Sequence, residues 1–75
     1  MYNLYKAYND TYENSPTLKT WRTANGYSKA AVLHAMHYAG IGNIKSLASN
    51  GALSSNKGVN NVLLNRILKG LKYNG

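Results

Sequence analysis

Two histidines three residues apart, His34 and His37, are the side chains of this sequence best suited to chemistry. On a helix this spacing puts both imidazoles on one face, where neighbours can chelate a single metal ion. A third protein ligand is lacking nearby, because the chain has no cysteine and its acids are Asp10 and Glu13. We therefore expect surface histidines that contact a phosphate, and no metal or other cofactor.

The residue inventory does not favour catalysis. Asp10 and Glu13 are predicted to share the polar face of one short helix, without a partner base. There is no cysteine nucleophile, and no serine stands in a Gly-x-Ser-x-Gly context. We expect a protein that is not an enzyme.

Positive charge is the strongest global feature of the sequence. Nine lysines and arginines against two acids give a net charge of +7 and a pI near 9.9. This imbalance predicts attraction to polyanions, either nucleic acid or an anionic membrane surface. No run of cations forms a basic tail, so the fold must gather them. They are Lys6, Lys19, Arg22, Lys29, Lys45, Lys57, Arg66, Lys69 and Lys72.

A glycine-bracketed segment, Gly40-Ile41-Gly42, leads into Asn43 and Lys45. We predict a tight turn here, followed by a short helix over about 43–49 with Asn43 as its cap. Such a turn directs backbone N–H groups outward at a helix start, where anions bind. An ordinary joint between two helices explains the same pattern, and both interpretations stay open.

The segment resembles the hairpin of helix-hairpin-helix DNA-binding motifs, in which a Gly-hydrophobic-Gly turn joins two helices and backbone amides grip a DNA phosphate. The agreement covers about a dozen residues and rests on Gly40, Ile41, Gly42 and Leu47. Two positions depart from the family pattern: Ala39 replaces the usual proline, and Ser46 stands where a small alanine is common. The resemblance implies phosphate contacts from the amides of Gly42 to Ile44 and from the ammonium of Lys45.

Helical periodicity and capping residues predict an all-α protein, a compact bundle of four to five short helices. The first helix is expected from Tyr2 to Glu13, with a stripe of tyrosines on one face. These tyrosines pack on the domain or, if exposed, offer stacking surfaces to bases. Ser15 and Pro16 predict the start of a second helix that ends near residue 24, before Gly26.

A third helix has the clearest start signal. Ser28 is its predicted N-cap, and Tyr27 and Val32 form a hydrophobic staple around it. The helix is expected to run to Ala39 and end at Gly40, with His34, His37 and Tyr38 facing outward together.

The most hydrophobic stretch predicts a C-terminal helix over about 57–72, capped by Ser54, Ser55 or Asn56. A polar connector precedes it, in which Leu53 is expected to reach the core. The apolar residues of this helix cover more than half of its circumference. Either the other helices surround it, or its second face is the seam of a homodimer. The residues suggested for that interface are Val62, Leu64, Leu68 and Leu71.

Length and composition bound the remaining alternatives. The 75 residues are expected to form one domain, 1–75, which buries only about 60% of its unfolded surface. No apolar run approaches the roughly 20 residues of a transmembrane helix. With no cysteine to form disulfides, we expect a cytoplasmic protein. The abundance of Asn and Tyr is typical of AT-rich coding. A small AT-rich bacterial or phage genome would have such a bias, which suggests a bacterial or phage-infected host cell.

These observations favour a nucleic-acid-binding protein, with DNA preferred over RNA, that holds phosphates and reads bases little. The alternative is a phage-type effector, an inhibitor or assembly factor that binds an acidic protein or a larger nucleoprotein complex. A membrane-active peptide fits the charge and the last helix but not the capped, polar helices. The candidate nucleic-acid contacts are Lys19, Arg22, Lys29, His34, His37, Gly42, Asn43 and Lys45.

Overall fold

Five short α-helices make up a computed structural model that describes residues 4–55 and 57–70. They are α1 (Leu4–Glu13), α2 (Pro16–Asn25), α3 (Lys29–Ala39), α4 (Ile41–Asn50) and α5 (Asn61–Leu68). The described residues contain no strand, so the predicted all-α bundle is confirmed. Within these ranges no helix has both the length and the apolar character needed to cross a membrane.

Local capping determines where α2 and α3 begin. The Ser15 hydroxyl accepts a hydrogen bond from the Leu18 N–H at 3.2 Å, and the Ser28 hydroxyl accepts one from the Ala31 N–H at 3.1 Å. Each satisfies an N–H that the first helical turn leaves unpaired. Gly26 ends α2 in the left-handed conformation, with φ of 71°. The sequence interpretation of both helices is confirmed.

The joint between α3 and α4 is shorter than expected. Gly40 alone separates the two helices, and its φ of 99° is one that side chains other than glycine rarely adopt. The helix α4 already begins at Ile41, so Gly42 and Asn43 lie in its first turn. The prediction of a Gly-x-Gly turn with Asn43 as the helix cap is therefore wrong.

The last helix starts later than predicted. Asn60 caps α5, because its side-chain oxygen accepts hydrogen bonds from the N–H groups of Val62 at 2.9 Å and Leu63 at 3.2 Å. Gly58 lies before it with φ of 76°, which a helix starting near residue 57 would not permit. The helix ends at Leu68, short of the expected 72, although residues 71 and 72 lie outside the described ranges.

The core is built around α3. This helix packs against α1, α4 and α5, whereas the main partner of α5 is α3 itself. The central place, which the C-terminal helix was expected to hold as one of two alternatives, thus belongs to α3. Leu53 packs against this core, as predicted. The buried apolar side chains are Tyr12, Leu18, Ala31, Val32, Ala35, Met36, Ile44, Leu64, Ile67 and Leu68.

Two of the residues suggested for a dimer seam, Leu64 and Leu68, lie in the core and not on the surface. Leu64 and Leu68 are only 3% and 2% exposed because they pack in the core of their own chain, so they are not available to a partner. Val62 is 66% exposed, and Leu71 lies outside the described residues.

Candidate nucleic-acid interface

Three of the predicted phosphate contacts, Lys19, Arg22 and Lys29, come together around the end of α1. Two of them share one carboxylate: Lys19 Nζ lies 3.2 Å from Glu13 Oε1, and Lys29 Nζ lies 2.7 Å from Glu13 Oε2. Arg22 bonds the hydroxyl of Tyr12, the residue that precedes Glu13. We call Glu13, Lys19, Arg22 and Lys29 the basic junction. The two lysines and the arginine carry three positive charges, and Glu13 carries one negative charge, so the group as a whole is cationic.

The ion pairs of the basic junction are open to solvent. The side chains of Lys19, Lys29 and Glu13 are 46%, 42% and 47% exposed. Hydrogen bonds from Lys29 and then from Lys19 hold the pKa of the Glu13 carboxyl below its ordinary value of 4.5, so it is ionised at neutral pH. Ion pairs between exposed side chains are weak in water. An incoming phosphate can therefore replace the carboxylate as the partner of both lysines.

Arg22 is part of the framework of the junction. Its Nε donates to the Tyr12 hydroxyl at 2.6 Å, and its Nη1 donates to the Tyr27 carbonyl at 2.9 Å. The ring of Tyr12 is buried and also lies under the Lys29 ammonium, 5.5 Å from ring centroid to Nζ. Arg22 is thus partly buried. It ties α1 to the α2–α3 connector, and guanidinium N–H groups remain beyond the two used here.

The two histidines lie away from the junction, within a set of rings on α1 and α3. His37 stacks with Tyr5 at a centroid distance of 6.1 Å and an interplanar angle of 29°. Tyr8 meets His37 edge-on at 6.1 Å, and His34 lies 6.4 Å from His37. The hydroxyl of Tyr8 is 3.4 Å from His37 Nδ1. We call Tyr5, Tyr8, His34 and His37 the aromatic cluster.

Much of the aromatic cluster is accessible. His37 is exposed and Tyr5 is 45% exposed, whereas Tyr8 and His34 are partly buried. The sequence interpretation left open whether the tyrosine stripe packs on the domain or is exposed for stacking, and it did not include Tyr5 or Tyr8 among the contacts. In the described residues no three His, Cys, Asp or Glu side chains lie together as a metal ion would need.

The start of α4 holds the last three predicted contacts, and Asn43 among them has a structural role. Its amide donates to the Ala39 carbonyl at 2.8 Å, and its side-chain oxygen accepts from Ser54 Oγ at 2.7 Å and from the Ser55 N–H at 2.9 Å. These bonds fasten the connector to α4. The main role of Asn43 is therefore structural, and one amide N–H of its side chain remains for the predicted phosphate contact.

The backbone segment from Gly42 to Ile44 has fewer N–H groups available to a phosphate than predicted. The N–H of Ile44 donates to the Gly40 carbonyl at 3.1 Å, so it is already used within the helix. In the described residues no side chain caps the first turn of α4, which leaves the amide of Gly42 without an intrahelical acceptor. Lys45 is exposed on the same helix.

The helices α1 and α3 pack side by side in opposite directions. Glu13, at the end of α1, meets Lys29 at the start of α3, while Tyr5 and Tyr8 meet His37 near its end. The basic junction and the aromatic cluster thus lie at the two ends of one helix pair. Lys29 and His37 are separated by eight residue steps, which correspond to about 12 Å along α3.

The other cations in the described ranges are spread over the rest of the surface. Asp10, the other acid, pairs with Lys6 at 2.8 Å, so both acids are engaged on α1. Four described cations lie on or after α4, are exposed, and contact neither acid: Lys45, Lys57, Arg66 and Lys69. They add to the positive charge of this surface.

A shallow groove of about 380 Å³ lies between α2 and α4. Trp21, Ala24 and Ala48 contribute its apolar lining, with the hydroxyls of Thr17 and Thr20 beside them. None of the described residues that line it is charged, so the groove is not among the candidate phosphate contacts.

Comparisons of the chain with protein-family models, with curated proteins and with solved structures found no match.

Proposed function

We propose that this protein is a small, non-enzymatic nucleic-acid-binding module that holds phosphates through its basic junction. The observation that supports this most is the sharing of one exposed carboxylate by Lys19 and Lys29, beside Arg22. Two lysines that share a single acid, with an arginine beside them, suit an anion that brings more negative charge than the acid itself. A nucleic-acid strand brings one charge per phosphate and releases counterions when it binds.

Long-range attraction supports the same ligand class. The chain carries a net charge of +7, and its described cations beyond α3 contact neither acid. Such a field raises the rate at which polyanions arrive and holds them loosely over much of the surface. The basic junction then supplies the short-range contacts.

Base reading plays little part in the proposal. Direct readout uses forked side chains such as Arg and Asn that are free to reach base edges. Two N–H groups of Arg22 are committed to Tyr12 and Tyr27, and Asn43 is committed to Ala39 and the connector. We propose DNA before RNA on the sequence resemblance to helix-hairpin-helix motifs around Gly40 alone, since Gly42 lies inside α4 and the Gly-x-Gly turn of that motif is not formed. We propose that the protein acts in the cytoplasm of a bacterium or phage-infected cell.

The test is equilibrium binding of labelled double-stranded and single-stranded DNA over a salt series. We expect the affinity to be highest at low salt, and log K to fall linearly with log[salt]. Absence of binding at low salt, or indifference to salt, would overturn the proposal. If the protein instead captures an acidic protein, and the complex persists after nuclease treatment, the alternative function of an effector that binds a protein would be supported.

A further inference from the structure

We infer that the aromatic cluster is a stacking site for unpaired nucleobases, so that the protein prefers single-stranded over double-stranded nucleic acid. The inference rests on the proposed function, because it needs a strand whose phosphates the basic junction holds. It adds a second binding site with a different chemistry, and it narrows the class of ligand.

The geometry of the cluster suits stacking. His37 is exposed and lies against Tyr5 in an offset stack, with the ring planes only 29° apart. Tyr8 meets Tyr5 edge-on at 5.7 Å and places its hydroxyl 3.4 Å from His37 Nδ1, so the exposed pair is supported from one side. With Tyr5 45% exposed, the pair forms a pre-arranged aromatic surface at the edge of the domain.

The position of the cluster links it to the phosphate contacts. Lys29 and His37 are eight residues apart on α3, which is about 12 Å along the helix and about 80° around it. A strand whose nucleotides are spaced by about 3.4 Å or more covers that distance with roughly three or four nucleotides. A single short strand can thus reach both ends of the α1–α3 pair, with phosphates at Lys19 and Lys29 and bases at Tyr5 and His37.

A duplex does not fit the cluster as well. Its bases are stacked on one another, so their faces are covered, and extruding one costs free energy. Every type of unpaired base has a π-face that it can present to an aromatic ring. Stacking on Tyr5 and His37 is therefore compatible with any sequence. Stacking also does not need base-edge contacts from Arg22 and Asn43, whose side chains already bond other groups of the chain.

The experiment compares three labelled ligands of matched length: an oligothymidylate of about twelve nucleotides, an abasic strand with the same number of phosphates, and a duplex. At one fixed salt concentration we expect the wild-type protein to bind the oligothymidylate about tenfold more tightly than the abasic strand, and more tightly than the duplex. This comparison needs no variant, so it does not depend on any substitution folding.

Two substitutions at one position then assign the preference to the cluster. Tyr5→Ala should lose the preference for bases over the abasic strand while keeping its affinity for the abasic strand. Tyr5→Phe, the matched control, retains the ring and should keep the preference. Equal wild-type affinity for base-bearing and abasic strands would overturn the inference and leave the proposed function standing. Failure to bind any of the three ligands at low salt would overturn both.

Discussion

Lys29, the first residue of α3, places its Nζ 2.7 Å from Oε2 of Glu13, the last residue of α1. The other oxygen of the same carboxylate takes Lys19 at 3.2 Å. One acid therefore holds two cations in place and also neutralises part of their charge. Glu13 competes with any phosphate for both lysines, and it is the residue whose removal should change binding most directly.

Glu13→Gln should tighten binding to single-stranded DNA and steepen its salt dependence. The substitution removes the competing carboxylate and frees Lys19 and Lys29, so the slope of log K against log[salt] should grow by about one to two units. Fluorescence anisotropy over a salt series measures both quantities.

The matched control for Glu13→Gln is Asp10→Asn. It removes the same charge from the same helix and breaks the ion pair with Lys6, which is not part of the basic junction. If the two variants gain affinity equally, net charge rather than the junction determines binding.

The lowered pKa of Glu13 predicts how its contribution to stability depends on pH. Because the folded state holds this pKa below the ordinary value of 4.5, the contribution is fully present above pH 4.5 and is lost as the pH falls through the lower folded value. Glu13→Gln lacks the ionisable group. The stability difference between wild type and Glu13→Gln should therefore shrink below pH 4.5, as measured by urea unfolding at successive pH values. A difference that stays constant down to strongly acidic pH would show that the carboxylate is not stabilised by its lysines.

Arg22→Lys should destabilise the fold although it keeps the charge. Arg22 bonds the Tyr12 hydroxyl through Nε and the Tyr27 carbonyl through Nη1. A lysine has only its single Nζ and cannot reproduce this pair of bonds in the same geometry. We expect the free energy of unfolding to fall by about 1–2 kcal/mol. Lys19→Gln, one turn earlier on α2, should change it by less than about 0.5 kcal/mol. Equal effects of the two substitutions would contradict the framework role of Arg22.

Asn43→Ala should also cost stability, by about 1–3 kcal/mol, because three hydrogen bonds join this side chain to Ala39 and the connector. Asn65→Ala is the control, since Asn65 is exposed on α5 and its side chain makes none of the hydrogen bonds described for this helix. Urea unfolding distinguishes the two variants. A neutral Asn43→Ala that instead weakened DNA binding would restore Asn43 as a phosphate contact.

The sequence predicted those parts of the fold that depend on neighbours in the chain. Ser15 and Ser28 each cap a helix by accepting a hydrogen bond from the N–H three residues later in the chain. Because this signal is local, α2 and α3 were predicted correctly. The start of α5 was missed because several residues can cap a helix. The choice of Asn60 over the serines became clear only from the positive φ of Gly58.

The candidate site was less predictable because its contacts join distant parts of the chain. Lys29 and Glu13 are 16 residues apart, and His37 and Tyr8 are 29 apart. The sequence indicated that the cations would have to be gathered, but not that a single acid would gather two of them. Nor did it indicate that tyrosines of the first helix would meet the histidines of the third.

The most direct test of the basic junction is the salt dependence of DNA binding by the double variant Lys19→Gln/Lys29→Gln. A second double variant, Lys57→Gln/Lys69→Gln, removes the same charge from exposed positions outside the junction and serves as the control. If the junction holds the phosphates, the first variant should lose about two units of slope in log K against log[salt], and the control should lose clearly less. Equal losses of slope in the two double variants, or wild-type binding that does not respond to salt, would contradict this account.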